Sequence, residues 1–246
     1  MKQTLIAEFQ YRFLKKTASG NALLRLREFR VYHKQLHPNP EDPILYLTLD
    51  VEWDQLPYED EGVDPVGCFS KMLDVLKDKN VCAYLFLLGN EMAEHTDLLH
   101  RIIEEGHCVG NHTMTHQDLT ECRFKETLKE IKECGDLYEQ LTGETMPRVL
   151  RLPYGKIHYP LAKKLYKAGY TVMHWSLHVT DYKKEQPDWE DYESYFHQRL
   201  HNGGVILQHS YAPATAENLG KLIDYCRTQG YRFAQKRDFD AFLQQK

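Results

Sequence analysis

Two histidines four residues apart, His112 and His116, stand in the polar segment GNHTMTHQDL at residues 110–119. A pair of imidazoles at this spacing is a common way to hold a divalent metal. The chain contains 13 histidines, and chance alone gives such a composition about one pair at this spacing. Four pairs occur: His33/His37, His112/His116, His174/His178 and His197/His201. Spacing alone therefore does not identify a metal site, and the context of each pair has to decide.

The elements that would position such residues follow a regular pattern from residue 44 onward. Short β-rich apolar runs, at 44–53, 81–89, 107–113, 148–154, 170–181, 203–210 and from 231, alternate with amphipathic helical patterns. Helices are predicted near 68–79, over 97–106, 123–143, 160–169, 190–202 and 216–230, and at the end of the chain. This alternation predicts parallel βαβ units. Seven units without a GxGxxG fingerprint favour an α/β barrel over an open dinucleotide-binding sheet.

Composition and charge narrow the function classes. With 246 residues, 42% of them hydrophobic and 27% charged, the chain is long enough for one large α/β domain. We expect residues 44–246 to form it and residues 1–43 to be an N-terminal helical extension. The basic first 40 residues favour a solvated helical face over a surface for membranes or anionic polymers. A net charge of −5 argues against a nucleic-acid partner.

Localisation and redox state are predicted from absent signals. No apolar run reaches the length of a transmembrane helix, so no transmembrane segment is expected. The N-terminus lacks the apolar region of a secretory signal, so either the chain stays in the cytoplasm or a signal has been removed. The six cysteines form no CxxC pair, and we expect them to be reduced and packed as small hydrophobes.

Polar residues follow several of the predicted strands. In an α/β barrel the active site is built at the carboxyl ends of the strands, so these residues should converge. Only one of the four histidine pairs, His112/His116, both follows a strand end and has potential partners at neighbouring strand ends. The polar strand-end residues are Asp50, Glu52, Asp54, His112, His116, Arg151, Tyr154, Gly155, His178, Asp181, Gln208 and His209.

This set has a chemical interpretation. Two imidazoles on one turn with a carboxylate suit Zn²⁺ or a similar divalent ion and leave positions open for water and substrate. Asp50 would act as a general base, with Arg151 keeping that carboxylate ionised, and His209 would act as a general acid from the other side. The residues therefore predict a metal-dependent hydrolase, without specifying the bond that it cleaves.

Five segments, in order along the chain, resemble the motifs of the polysaccharide deacetylases of carbohydrate esterase family four. They are LTLD at 47–50, HTMTH at 112–116, RLPYG at 151–155, SLHVTDY at 176–182 and VILQH at 205–209. Each motif alone is a weak or moderate signal, but five in order at strand ends form a specific one. Within the family, the likeness is greatest to the delta-lactam-type muramic acid de-N-acetylases.

The resemblance implies a distorted seven-stranded (β/α) barrel and a reaction. The family removes an N-acetyl group from an aminosugar, here in a polysaccharide such as peptidoglycan or a chitin-like oligomer, and releases acetate. By this resemblance His112 and His116 would hold the metal, with Zn²⁺ favoured and Co²⁺, Ni²⁺ or Mn²⁺ as alternatives. Asp50 would take a proton from the attacking water, and the backbone N–H of Tyr154, together with the metal, would stabilise the oxyanion. His209 would protonate the leaving amine, supported by Asp181 and Arg151.

One position departs from the family pattern. The family has a second aspartate directly after the first, as a metal ligand, whereas this chain has Val51. Glu52 shares the strand face of Asp50, so we expect Glu52 to reach the metal, with Asp54 as a poorer candidate. On the substrate side we expect Tyr154, Gly155 and Trp53 to contact the sugar. For any one aromatic residue near the strand ends, packing under a loop is as probable as stacking on a sugar ring. These residues are Trp53, Tyr58, Tyr154, Tyr159 and Tyr182.

Two alternatives stay open at this point. Val51 could mark a glycan-binding pseudoenzyme in which catalysis has been lost, and an aspartate at position 51 would then restore activity. A metal-dependent hydrolase of a small non-sugar amide is the other alternative, because the missing export signal fits an intracellular substrate better than a cell wall, where relatives of this type act.

Overall fold

Nine strands form one sheet in the computed structural model, which describes residues 26–53 and 62–245. They are β1 (Val31–Tyr32), β2 (Ile44–Val51), β3 (Tyr84–Leu87), β4 (Cys108–Asn111), β5 (Val149–Leu150), β6 (Thr171–Met173), β7 (Leu177–His178), β8 (Gly204–His209) and β9 (Arg232–Phe233). All strand pairs within the sheet are parallel, and the order is β1-β6-β5-β4-β3-β2-β8-β7, with β9 beside β2. The predicted parallel α/β architecture is confirmed.

Seven α-helices occupy the connections within the described residues. They are α1 (Pro65–Asp78), α2 (Thr96–Glu104), α3 (Phe124–Thr142), α4 (Tyr159–Lys167), α5 (Trp189–Arg199), α6 (Pro213–Thr228) and α7 (Lys236–Leu243). Local chemistry sets their ends: the Asp64 side chain accepts from Gly67 N–H to cap α1, and Gly143 ends α3 with a φ of 76°. A left-handed residue at this position is the usual helix stop and favours glycine. Within the described ranges, none of the helices combines the length and the apolar composition that a membrane span requires.

The sheet curls on itself where one predicted strand is divided into two. The pattern at 170–181 predicts a single strand, but the structure divides it into β6 and β7. β6 pairs with β5, whereas β7 pairs with β8 at the other end of the sheet order. The chain thus joins the two ends within a few residues, which gives a distorted barrel. An antiparallel bridge from Lys34 to Gly204 adds a further contact across this seam.

Two apolar clusters on opposite faces of the sheet show the alternation of the strands. Leu45, Leu47, Leu49 and Val51 of β2 belong to the outer cluster, which packs against the helices. Ile44 and Tyr46 belong to the inner cluster, where Tyr46 contacts Phe239 and Phe242 of α7. Because side chains alternate along a strand, Thr48 and Asp50 point to the inner face. The inner face is therefore apolar at one end and polar where the strands terminate.

The described part of the predicted N-terminal extension contributes to the sheet. Residues 26–43 contain β1, which pairs with β6, while residues 1–25 lie outside the described residues. The division at residues 43 and 44 stays a prediction. All six cysteines have free thiols, as expected, and two of them, Cys82 and Cys108, lie with their Sγ atoms 4.0 Å apart.

Candidate active site

Asp50 stands at the centre of the polar strand ends. It lies opposite Phe86 of β3 on one side and His209 of β8 on the other. Its Oδ1 accepts a hydrogen bond from Arg151 Nη1 at 3.0 Å, and its Oδ2 lies 3.7 Å from His112 Nε2. Burial alone would raise the pKa of Asp50, but the charge of Arg151, with those of His112 and His209, lowers it below its ordinary value. Asp50 is therefore an ionised carboxylate with one oxygen directed at the histidines.

The Arg151 guanidinium is fully buried and held from several sides. It donates to Met173 O at 3.0 Å, to Thr48 Oγ1 at 2.8 Å and to His174 O at 3.3 Å, besides Asp50. It also lies over the Phe86 ring, 4.2 Å from the ring centroid. A buried charge is tolerated only when it is paired and hydrogen-bonded, and this guanidinium meets both conditions. Arg151 thus ties Asp50 rigidly to β5 and β6.

His112, at the end of β4, presents one ring nitrogen to the site. Its Nδ1 lies 2.8 Å from Arg151 O. A carbonyl only accepts hydrogen bonds, so Nδ1 carries the hydrogen and the lone pair of Nε2 faces the cluster. The Nε2 atom is buried and has no hydrogen-bond partner among the described residues. A buried polar atom without a partner, beside a carboxylate and a second imidazole, is suited to binding a ligand.

Glu52 completes a cluster of potential metal ligands. Its Oε1 lies 3.8 Å from His112 Nε2 and 3.6 Å from His116 Nε2. The three ligand atoms lie within 4.8 Å of one another, and no other group of three such side chains in the described ranges does so. Two imidazoles and one carboxylate are a common donor set for Zn²⁺ and related ions. These residues fit a divalent metal, and among the described residues the other three histidine pairs contribute no atom to this cluster.

The pKa values of the two histidines are shifted in opposite directions. Burial, reinforced by the nearby charge of His112, lowers the pKa of His116 to about 4. Burial would also lower the pKa of His112, but Asp50 and Glu52 outweigh it and raise that pKa above its ordinary value. His116 is therefore neutral at physiological pH, whereas the charge of His112 depends on the carboxylates around it.

The loop between the histidines differs from the expectation of a single turn. Thr113 and His116 adopt left-handed backbone angles, with φ of 73° and 59°, which costs a non-glycine residue roughly 1–2 kcal/mol each. Hydrogen bonds inside the loop compensate: Thr113 Oγ1 accepts from His116 N–H at 3.1 Å, and Asn111 Oδ1 accepts from Thr113 N–H at 2.9 Å. The two rings converge, with centroids 5.0 Å apart, because of this irregular loop and not because of helical spacing.

His209 forms the opposite side of the site. Its Nδ1 lies 2.9 Å from Asp181 Oδ1, and its backbone N–H donates to Asp181 Oδ2 at 2.9 Å. Thr215 Oγ1 donates to the same Oδ2 at 2.8 Å. Burial would lower the pKa of His209, but the charge and hydrogen bond of Asp181 raise it to about 9. His209 is therefore a protonated imidazolium at neutral pH, as a general acid must be.

Other residues predicted near the strand ends are not part of the metal-binding cluster or lie outside the described residues. Gln208 is next to His209 in sequence, but its Oε1 accepts a hydrogen bond from the Tyr192 hydroxyl at 3.0 Å and lies 3.0 Å from Thr215 Oγ1, among the buried groups that support Asp181. His178 is half-buried, with its ring 6.2 Å from that of Trp175. Asp54 and Tyr58 lie outside the described residues.

The residues predicted to contact the substrate differ in their exposure to solvent. Tyr154 is 56% exposed, and its ring centroid lies 4.7 Å from that of His116. Trp53, by contrast, is 1% exposed and donates from Nε1 to Leu88 O at 2.7 Å. The expectation that Trp53 contacts the sugar is therefore corrected, because its indole packs in the core. Gly155 has a φ of 62°, and a Cβ there would lie 2.6 Å from Trp175, so Gly155 shapes the turn beside Tyr154.

Sequence reasoning missed three supporting residues. Thr48 accepts a hydrogen bond from Arg151, and Thr215 donates one to Asp181. Glu130 accepts a hydrogen bond from Thr115, which lies between the two histidines. The position of Thr48, two residues before Asp50 on the same strand face, was a usable signal. Thr215 and Glu130 lie on helices, and only tertiary packing brings them to the site.

Fold and site together define a carbohydrate esterase of family four. The structure of PdaA from Bacillus subtilis, a member of that class, superposes with a TM-score of 0.74 at 26% identity, covering 88% of each chain. Residues 37–173 match the polysaccharide deacetylase family, and this chain belongs to it. It is thus a hydrolase of the polysaccharide deacetylase type.

Two relatives show the range of substrates in this family. The peptidoglycan-N-acetylmuramic acid deacetylase PdaA of Bacillus subtilis is 28% identical over 197 residues, which are 79% of this chain and 70% of that protein. A chitooligosaccharide deacetylase of Rhizobium leguminosarum is 33% identical over 148 residues, which are 60% of this chain and 63% of that protein.

Proposed function

We propose that this protein is a metal-dependent de-N-acetylase that hydrolyses the N-acetyl group of an aminosugar in a polysaccharide such as peptidoglycan or a chitin-like oligomer. The observation that carries the proposal is the position of Asp50 Oδ2, 3.7 Å from His112 Nε2, beside the cluster of Glu52, His112 and His116. A base and a metal-binding donor set at this separation can act on the same water molecule.

Glu52, His112 and His116 would hold the metal, with Zn²⁺ favoured over Co²⁺, Ni²⁺ or Mn²⁺. When bound, a divalent ion supplies Lewis acidity toward the amide carbonyl and lowers the pKa of water. Glu52 takes the role that the family gives to the residue after the first aspartate. Val51 lies in the outer apolar cluster, on the face opposite to Asp50, so its side chain is directed away from the site.

The protein's own groups would move the protons. Asp50 accepts the proton of the attacking water on Oδ2, because Oδ1 is occupied by Arg151. The left-handed backbone of Tyr154, with a φ of 60°, presents its N–H at the turn beside His116, where we place the developing oxyanion. His209, protonated and oriented by Asp181, donates a proton to the leaving amine. The products are acetate and a free amino sugar.

The names of the relatives support a glycan substrate. Peptidoglycan and chitooligosaccharides are acted on by the relatives described above, and exposed Tyr154 offers an aromatic face beside the metal ligands on which a sugar ring can stack.

The test is acetate release from N-acetylated chitooligomers and from peptidoglycan, with Zn²⁺ or Co²⁺ added. We expect release by the wild type, its loss in Asp50→Asn, and wild-type release by Asp78→Asn, which alters an exposed aspartate of α1. Metal-replete wild type that binds these glycans without releasing acetate would instead support the pseudoenzyme alternative. Wild type that neither binds nor cleaves any of them would overturn the proposal.

A further inference from the structure

Glu130 is a buried carboxylate with no cationic partner in the ranges that the structure describes. It lies on α3 and is 8% exposed. Among the residues that the structure describes, no lysine, arginine or histidine forms an ion pair with it. Burying an ionised group away from opposite charge is unfavourable unless hydrogen bonds compensate. The position of those hydrogen bonds therefore shows what the carboxylate does.

Within the described part of the chain, all the hydrogen bonds of the Glu130 carboxylate go to one residue of the histidine loop. Thr115 N–H donates to Oε2 at 2.8 Å, and the Thr115 hydroxyl lies 3.0 Å from Oε1 and 3.1 Å from Oε2. Thr115 directly precedes His116, and its own side chain is exposed. The carboxylate thus holds the backbone one residue away from a candidate metal ligand.

The loop needs such a brace, because His116 sits in an unfavourable left-handed conformation with a φ of 59°. On its other side the loop is held by the segment after β3. Gly89 N–H donates to Thr113 O at 2.9 Å, and Asn90 N–H donates to Met114 O at 2.7 Å. These bonds fix the first half of the loop, and Glu130 fixes the second half, where His116 lies.

We propose that Glu130 is a positioning residue for the metal site: by holding Thr115 it keeps the His116 imidazole aligned with Glu52 and His112. This inference rests on the proposed metal-dependent function. Without the carboxylate, the Thr115–His116 segment is free to leave its strained conformation, and His116 no longer meets the other two ligands. Groups that orient metal ligands in this way typically contribute a factor of 10–100 to metal affinity.

The test measures metal affinity without reference to activity. Zn²⁺ dissociation constants are determined by competition with a chromophoric chelator, and the absorption spectrum of the Co²⁺ form reports the ligand geometry. We expect Glu130→Ala to weaken binding about 10–100-fold and to change the Co²⁺ spectrum. The matched control is Glu133→Gln, which alters a half-exposed glutamate on the same helix whose partner is Lys129 and should bind within twofold of the wild type.

A second pair of variants keeps the test decisive if Glu130→Ala folds poorly. Thr115→Ala removes one donor from an exposed position and should weaken Zn²⁺ binding several-fold, whereas Thr115→Ser should restore it. If Glu130 acts through Thr115, the double variant binds no more weakly than Glu130→Ala alone. Wild-type affinity in both Glu130→Ala and Thr115→Ala, or a fall in thermal stability without weaker binding, would overturn the inference. A wild type that binds no divalent metal would instead refute the proposed function itself.

Discussion

Asp50 and His209 lie directly opposite each other on the neighbouring parallel strands β2 and β8. The two side chains have opposite protonation states, because Arg151 lowers the pKa of the carboxylate and Asp181 raises that of the imidazole. Divergent pKa values in neighbouring groups are typical of acid and base partners in catalysis. The register of two strands thus places a candidate base and a candidate acid on either side of one reaction centre.

An aspartate at position 51 should harm the protein. The Val51 side chain is fully buried in the outer apolar cluster, so Val51→Asp would place an unpaired carboxylate among helices and cost about 3–5 kcal/mol of unfolding free energy. Urea unfolding measures the loss, with Val51→Ala as a size control that should cost less. A stable Val51→Asp variant with greatly raised acetate release would favour the pseudoenzyme interpretation over Glu52 as ligand.

Removing Glu52 or His112 should remove the metal. We expect elemental analysis of purified protein to find about one divalent ion per chain in the wild type, and a strongly reduced amount in Glu52→Ala and His112→Ala, because two ligands rarely retain zinc against buffer. Glu104→Gln, an exposed glutamate at the end of α2, serves as the control and should retain the ion. Full occupancy in Glu52→Ala would show that another group completes the site.

Replacing Arg151 should shift the acid side of the pH–rate profile. Arg151 opposes the effect of burial on Asp50, so in Arg151→Met the pKa of Asp50 rises, and the base becomes ionised only at higher pH. The acid limb of kcat/KM should therefore move to higher pH, and stability should fall by about 3–5 kcal/mol because a buried carboxylate loses its partner. Arg148→Met, at an exposed position, should leave both unchanged. An unmoved acid limb in Arg151→Met would argue against Asp50 as the base.

The pair of His209 and Asp181 predicts an alkaline limit. Activity should fall as the pH rises through about 9, where His209 loses its proton, and Asp181→Asn should move this limb to lower pH. The folded-state pKa exceeds the value of about 6.5 in an unfolded chain. The stabilisation by this pair is therefore complete below pH about 6.5 and is lost as the pH rises toward 9. Unfolding free energies measured as a function of pH for the wild type and Asp181→Asn test this prediction. Equal pH dependence in the two proteins would contradict the assignment of Asp181 as the group that raises the pKa of His209.

Local sequence patterns were sufficient to predict the fold class and most of the candidate site residues. Alternation along 44–53 placed Asp50 and Glu52 on one face, and the succession of strands and helices predicted parallel units whose carboxyl ends meet. His112, His116, Arg151 and His209 were all predicted in this way, because each lies at or near the end of its strand.

Other features depend on contacts between distant segments, which no local pattern encodes. Alternation and strand order, properties of neighbouring residues, determined the fold class and the strand-end residues of the site. Tertiary structure alone decided that the indole of Trp53 turns into the core, that β6 and β7 join opposite ends of the sheet, and that the histidine loop is irregular. It also brought Glu130 to Thr115 and Thr215 to Asp181, since those hydrogen bonds exist only once helices have packed against the sheet.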